Sequence, residues 1–326
     1  MSTVTPNTAV KLWQDQRVAL RWIVRKSLAV WIIVIGIVIW LIVSRSSSFL
    51  ASSNISDVLS DTVVLGLVGV GETFVILSAG IDLSVGSMAT LTCVLSAGLI
   101  NGHASLVAPV ILLMAVGGVV LGIAQGLLVA KAGIQPFIVT LTSYFILAGI
   151  AYAYTAIPIG SVPDGLSNAF FASLGPIPWF FLITLAVGVI LSGLLSRTRV
   201  GRHIYAVGGN SAMARAAGVN VTRVTVLCYM ISGVLAALAG CVLAIRSGVG
   251  VPNAGSGLEL LAITTVVVGG TSLVGGRGRL IGTAGGVLLL ALVQNAFLLL
   301  NISSYYESVV TGVVIVAAVA LFIRHD

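Results

Sequence analysis

The chain has 326 residues, 58% of them hydrophobic and only 8% charged, with a formal net charge of +7 and a mean hydropathy of +1.17. In water that composition would expose a large apolar surface, so a water-soluble globular enzyme is excluded and an integral membrane protein is implied. The excess of Lys and Arg reads as membrane topology, and no nucleic-acid partner is expected.

A helix crossing the hydrocarbon core of about 30 Å takes about 20 apolar residues. Runs of that kind predict an all-α, polytopic protein of about ten transmembrane helices. In chain order they are Leu28–Val43, Thr62–Ala79, Ile81–Ile100, Leu106–Ala130, Pro136–Thr155, Ile177–Leu195, Val224–Ile245, Leu258–Gly275, Leu280–Leu300 and Tyr306–Ile323. Residues 1–27 form a basic N-terminal segment, 28–323 the transmembrane domain and 324–326 a short tail. With the N-terminus inside, Lys11, Arg17, Arg21, Arg25 and Lys26 are cytoplasmic. Lys131, Arg197, Arg199, Arg202, Arg215, Arg223, Arg277, Arg279 and Arg324 then also fall inside, and only Arg45 and Arg246 fall outside. Both termini are accordingly expected to be cytoplasmic. A cleaved signal peptide is not expected, because no A-x-A pattern follows the first run.

Three connections are long enough to act outside the bilayer: Ser44–Asp61 and Ile157–Pro176 outside, and the basic loop 196–223 inside. None can hold a soluble catalytic domain, so the driving energy comes from a partner or from an ion gradient. Two runs of small residues at four-residue spacing, Gly118, Gly122 and Gly126 and then Gly278, Gly282 and Gly286, predict close helix packing. A short likeness between GIDLSVG at 80–86 and GTSLVGG at 270–276 would fit a duplicated half. Cys93, Cys228 and Cys241 lie in apolar spans without metal or redox spacing, and His103, His203 and His325 give no metal-ligand pattern. No Lys follows a Gly as a phosphate-binding loop requires, so neither a metal nor ATP is expected on this chain itself.

Within the inner loop, Asn210 is an N-cap, Ser211, Ala212, Met213, Ala214, Arg215, Ala216 and Ala217 form about two helical turns, and Gly218 ends them. A helix this short does not hold itself in water. It should dock, offering Met213 and alanines to a partner and Arg215 to an acidic group. Within the spans, a buried carboxylate costs about 2.5 to 3.5 kcal/mol on insertion scales, which singles out Glu72 and Asp82. Asp82 or Ser84 could cap the half-helix that follows, or Asp82 could be a ligand, and the topology puts Asp82 near the inner interface. Glu72 is the candidate proton carrier if the protein is a gradient-driven transporter. Gln125, Thr140, Thr142, Gln294 and Asn295 either line a pathway for a polyhydroxylated solute or bridge helices. No constellation of catalytic residues is found.

Together GIDLSVGS at 80–87, GRHIYAVGGN at 201–210 with Arg215 and Gly218, GGTSLVGGRGRLIGT at 269–283 and NISSYYE at 301–307 resemble the permease subunits of bacterial ABC sugar importers, the ribose-permease group. The resemblance implies a multi-pass protein of the bacterial inner membrane that works by alternating access. It implies a second permease subunit as a homodimer, a cytoplasmic ABC ATPase that uses ATP and Mg, a periplasmic solute-binding protein and a sugar substrate. Residues 210–218 would be the coupling helix. Ala212 stands where the family commonly has Glu, Glu72 where it has an apolar residue, Ala296 where it has Gly and Glu307 where it has Gln.

Overall fold

The computed structural model describes residues 6–302 together with Tyr306, Val309, Gly312 and Val313, with side chains from Leu28 onward. Twelve α-helices are described: α1 Pro6–Phe49, α2 Ser52–Leu77, α3 Val85–Ile100, α4 Val107–Ala130, α5 Pro136–Tyr154 and α6 Asp164–Phe171, then α7 Trp179–Arg197, α8 Arg199–Gly209, α9 Ser211–Ala216, α10 Val221–Ser247, α11 Leu258–Val268 and α12 Leu280–Leu299. The one described sheet is a hairpin in which β1, Ser173–Leu174, pairs antiparallel with β2, Ile177–Pro178. Among the described residues seven helical segments are long and apolar enough to cross a bilayer, and α3 and α11 are two shorter apolar helices. A helix satisfies its own backbone, which is why an apolar chain takes this form in lipid. Most of the tenth predicted span, Glu307 and the tail 324–326 lie outside the described residues.

Several expected limits are corrected. Ser44–Asp61 is not an open loop: the helix breaks at Arg45, φ −143° and ψ 37°, resumes to Phe49, and α2 starts at Ser52. Ser44 returns its hydroxyl to the Trp40 carbonyl at 2.7 Å, which lets a polar residue stay helical. The spans expected at Ile81–Ile100 and Leu258–Gly275 are helical only from Val85 and only to Val268. The flanking glycines and polar residues form irregular chain instead. The basic loop 196–223 holds α8 as well as α9, with Thr198 Oγ1 accepting from the Gly201 amide at 3.2 Å as the cap of α8. The stretch 157–176 folds into α6 and part of the hairpin.

α10 is the central helix, packed by α2, α3 and α4. The first glycine row explains the tightest of these contacts. Gly118 lies on the backbone of Gly233, Gly122 on Tyr229 and Met230, and Gly126 on Val226, and a Cβ at any of the three would collide with α10. The second row does the same for α12, where Gly282 meets Gly269, Gly286 meets Thr265 and Gly278 meets Thr271. Both rows therefore serve packing within the subunit. Outward, α4, α5 and α7 expose Leu112, Val120, Phe145, Ile146, Ile183 and Ile190, the apolar surface lipid requires. Gly118 is near the middle of α4, so its contact with Gly233 marks mid-depth. Ser232, the preceding residue, packs on Gly71 of α2 at the same level.

Candidate functional site

After Leu77 the chain leaves its helix and turns back toward mid-depth before α3 begins. Ala79 has φ 64°, and Gly80 sits so close to the Tyr229 hydroxyl that a Cβ would approach it to 2.6 Å. The returning chain brings Asp82 beside Glu72, whose Oε1 accepts the Asp82 amide at 3.1 Å. Asp82 itself accepts three donors: the Ser84 amide at 3.0 Å and hydroxyl at 2.6 Å on Oδ1, and the Ser232 hydroxyl at 2.8 Å on Oδ2. Gln125 Nε2 donates to Ser84 Oγ at 2.8 Å, and Thr140 donates to the Ile81 carbonyl at 3.1 Å. The side chains of Glu72, Asp82, Ser84, Gln125 and Ser232 are all buried.

The candidates Glu72, Asp82, Ser84, Gln125 and Thr140 thus converge on one irregular segment, 81–84. Asn295 does not join them. It pairs with Asn54, each amide nitrogen donating to the other's oxygen at 2.7 and 3.2 Å, and so ties α12 to α2. Asp82 is not at the inner interface as expected, because its bond to Ser232 puts it at mid-depth; the chain climbs back from the end of α2. The Ser84 side chain makes no capping bond to α3, whereas Asp82 accepts the amide of Ser84 at the start of that helix. Ser232 and Tyr229 were missed, since a Ser and a Tyr within an apolar run carry no spacing signal. Glu72 Oε2, Gln125 Oε1 and the Tyr229 hydroxyl are buried without a hydrogen-bond partner among the described residues.

A second site lies at the end of the molecule where α8 and α9 fold. Asn210 Oδ1 accepts the Met213 amide at 2.9 Å and caps α9. Gly218, at φ 83°, donates to the Arg215 carbonyl while Val219 donates to that of Ala214, both at 3.0 Å. The helix ends at Ala216, with Ala217 as its C-cap, one residue earlier than expected. Ala214 is buried against a cluster that includes Phe74, Leu77, Ile204 and Cys228. Ser211, Ala212, Arg215 and Ala216 line an open groove, and Met213 is 70% exposed.

α8 links this surface to the buried segment. Gly208 packs on the Leu77 carbonyl, and the Gly276 amide donates to that same oxygen at 3.0 Å. Tyr205 donates its hydroxyl to the Gly278 carbonyl at 2.9 Å, and burial pushes that phenol above its ordinary range although Arg279 draws it down. The Gly-rich run is therefore a folded connection, 269–279, seated between α8 and the end of α2.

Apolar helices interrupted by irregular polar chain at mid-depth, with a folded surface at one end, define a multi-pass membrane protein built in the manner of transporters. Comparison with known proteins gives the family. Residues 54–319 match the permease component of branched-chain amino acid transport systems, and the chain belongs to this permease family. It is 43% identical over 283 residues to the ribose import permease protein of Haemophilus influenzae, covering 83% of this chain and 85% of that one. The D-allose transport system permease protein of Escherichia coli K12 is 40% identical over 275 residues, 84% of each chain. An inner membrane ABC transporter permease protein of the same strain is 39% identical over 282 residues, again 84% of each. No solved structure matches.

Proposed function

We propose that the chain is the membrane subunit of an ABC importer in the bacterial inner membrane and carries a neutral monosaccharide or similar polyol. The exposed, doubly capped α9, backed by a buried core through Ala214, carries this reading. Such a surface fits the cleft of a cytoplasmic ATPase, with Met213 as apolar anchor and Arg215 for an acidic group. Ala212 in place of a family Glu removes one charge from that contact. The ATP and Mg belong to that partner, a periplasmic binding protein delivers the solute, and a second copy of this chain completes the pathway. In this reading the chain has ten spans with both termini cytoplasmic, the tenth being Tyr306–Ile323.

The sugar class is supported by the names of the ribose and D-allose relatives and by the uncharged polar residues within the spans. The test is purification of the tagged chain from native membranes. A Walker-motif ATPase should copurify in stoichiometric amount, and Arg215→Glu should remove it or uncouple hydrolysis from uptake while leaving membrane insertion unchanged. Full transport by Arg215→Glu would overturn the coupling role.

A further inference from the structure

The chain between α10 and α11 does not remain outside the helices. Gly250 forms a bridge with Ile159 and packs on Cys93, Val94 and Ala97 in the outer half of α3. A few residues on, the Gly255 amide donates to Thr90 Oγ1 at 3.0 Å, and Gly255 presses against the Gly86 carbonyl in the first turn of α3. Glu259, in the first turn of α11, sets its carboxylate against Gly86. From Ala97 to Gly86 the segment has descended about 16 Å at the helical rise of 1.5 Å per residue. That reaches the middle of a core of about 30 Å. α11, with 11 residues, covers the remaining half. α3 and α11 thus begin beside one another, deep in the protein.

Irregular backbone at that depth is tolerated only against protein or a water-filled cavity, never against lipid. Along this segment Asn253 and Ser256 are exposed and Glu259 is half-exposed. Gly257, φ 85°, is the N-cap of α11 with no side chain capping the helix amides, and Glu259 Oε2, a buried atom, has no hydrogen-bond partner among the described residues. Two exposed polar side chains and an unpaired carboxylate oxygen on irregular backbone suit water and solute hydroxyls, and a dry contact would leave them unsatisfied.

We infer that the re-entrant segment 251–259 lines the aqueous pathway from the outer side to mid-depth, and that Asn253, Ser256 and Glu259 are groups a passing neutral polyol meets. Amide and hydroxyl exchange hydrogen bonds with sugar hydroxyls, whereas the Glu259 carboxylate accepts them and repels anionic solutes. The solute class rests on the import reading above; the aqueous lining does not.

The test is thiol accessibility in the assembled transporter. The native Cys93, Cys228 and Cys241 are all buried, which keeps the background low. Asn253→Cys and the near-isosteric Ser256→Cys should react with a cationic, membrane-impermeant methanethiosulfonate at least about tenfold faster than the lipid-facing control Val120→Cys, because thiolate chemistry needs water. Modification should also block uptake. Absence of reaction in both the ATP-free and the ATP-bound assembly would overturn the lining and point to a dry contact with the second copy. The cationic reagent should outpace its anionic analogue at Ser256→Cys by about threefold or more, and Glu259→Gln should bring the two together. Equal rates already with Glu259 present would overturn its assignment. Labelling at both positions in a protein that takes up no sugar would sink the solute class and leave the pathway standing.

Discussion

At the scale of single residues the question is why two carboxyl groups are buried together. Asp82 gathers three donors, so its role can be derived from geometry: it holds the returning chain to Ser84 and to α10. Asp82→Ala would strand the Ser84 and Ser232 donors, each at a cost of about 1 to 3 kcal/mol for an unsatisfied buried group. Glu72 does less, accepting one amide while its second oxygen has no partner. Glu72→Gln keeps an oxygen for the Asp82 amide and should therefore keep ATP-driven uptake within about threefold of the parent, the effect of weakening one hydrogen bond. Glu72→Ala removes that acceptor and should lower uptake further by disturbing the break. Uptake assays on vesicles with matched transporter content distinguish these. Loss of uptake in Glu72→Gln with normal assembly would mean that the carboxyl group itself takes part in transport.

At the scale of elements, glycine positions explain much of the packing, and they were legible before the fold was. The rows at Gly118–Gly126 and Gly278–Gly286 announce close helix contact by spacing alone, and the structure names the partners as α10 for the first and α11 with the chain just after it for the second. Gly122→Leu would drive a side chain into the backbone of Tyr229 and Met230. Overpacking of this kind costs about 1 to 3 kcal/mol, and backbone on the far side gives less than a side chain would. Its melting temperature in detergent should fall clearly below that of Gly149→Leu, since Gly149 on α5 meets no neighbouring atom. Equal melting would show that α4 can withdraw from α10. The caps of α9 were legible for the same reason, since Asn210 and Gly218 act locally. The length of α3 and α11 was not legible, because hydropathy stays high across Gly80–Ser84 and Gly269–Val274 whether or not the backbone is helical. The depth of the segment after α10 was equally hidden, since only the approach of Gly255 to Gly86 reveals it. Asn295 looked like a pathway group until its partner Asn54, far off in sequence, was in place.

Across the whole molecule, α2 and α10 join three levels. Near one end Arg246 pairs with Asp61 at 2.6 Å, both partly exposed, an ion pair worth no more than about 1 kcal/mol. At mid-depth Ser232 of α10 holds Asp82. At the other end the Leu77 carbonyl receives Gly276 and carries the weight of Gly208 in α8. A displacement of α9 by a docked partner therefore reaches the end of α2 through one helix, with Tyr205 tying that helix to Gly278. Tyr205→Phe removes this bond without changing shape, and coupling residues of this kind carry about 0.5 to 2 kcal/mol. In reconstituted vesicles with the partner ATPase, hydrolysis should persist while solute moved per ATP falls by about twofold to thirtyfold, the factor those energies represent. Thermal stability should change little, since the bond joins partly buried groups and the ring stays packed. An unchanged transport-to-hydrolysis ratio would mean that motion reaches the buried segment through Gly208 and the Leu77 carbonyl alone; a fall in hydrolysis and uptake together would place Tyr205 in holding the docking surface itself.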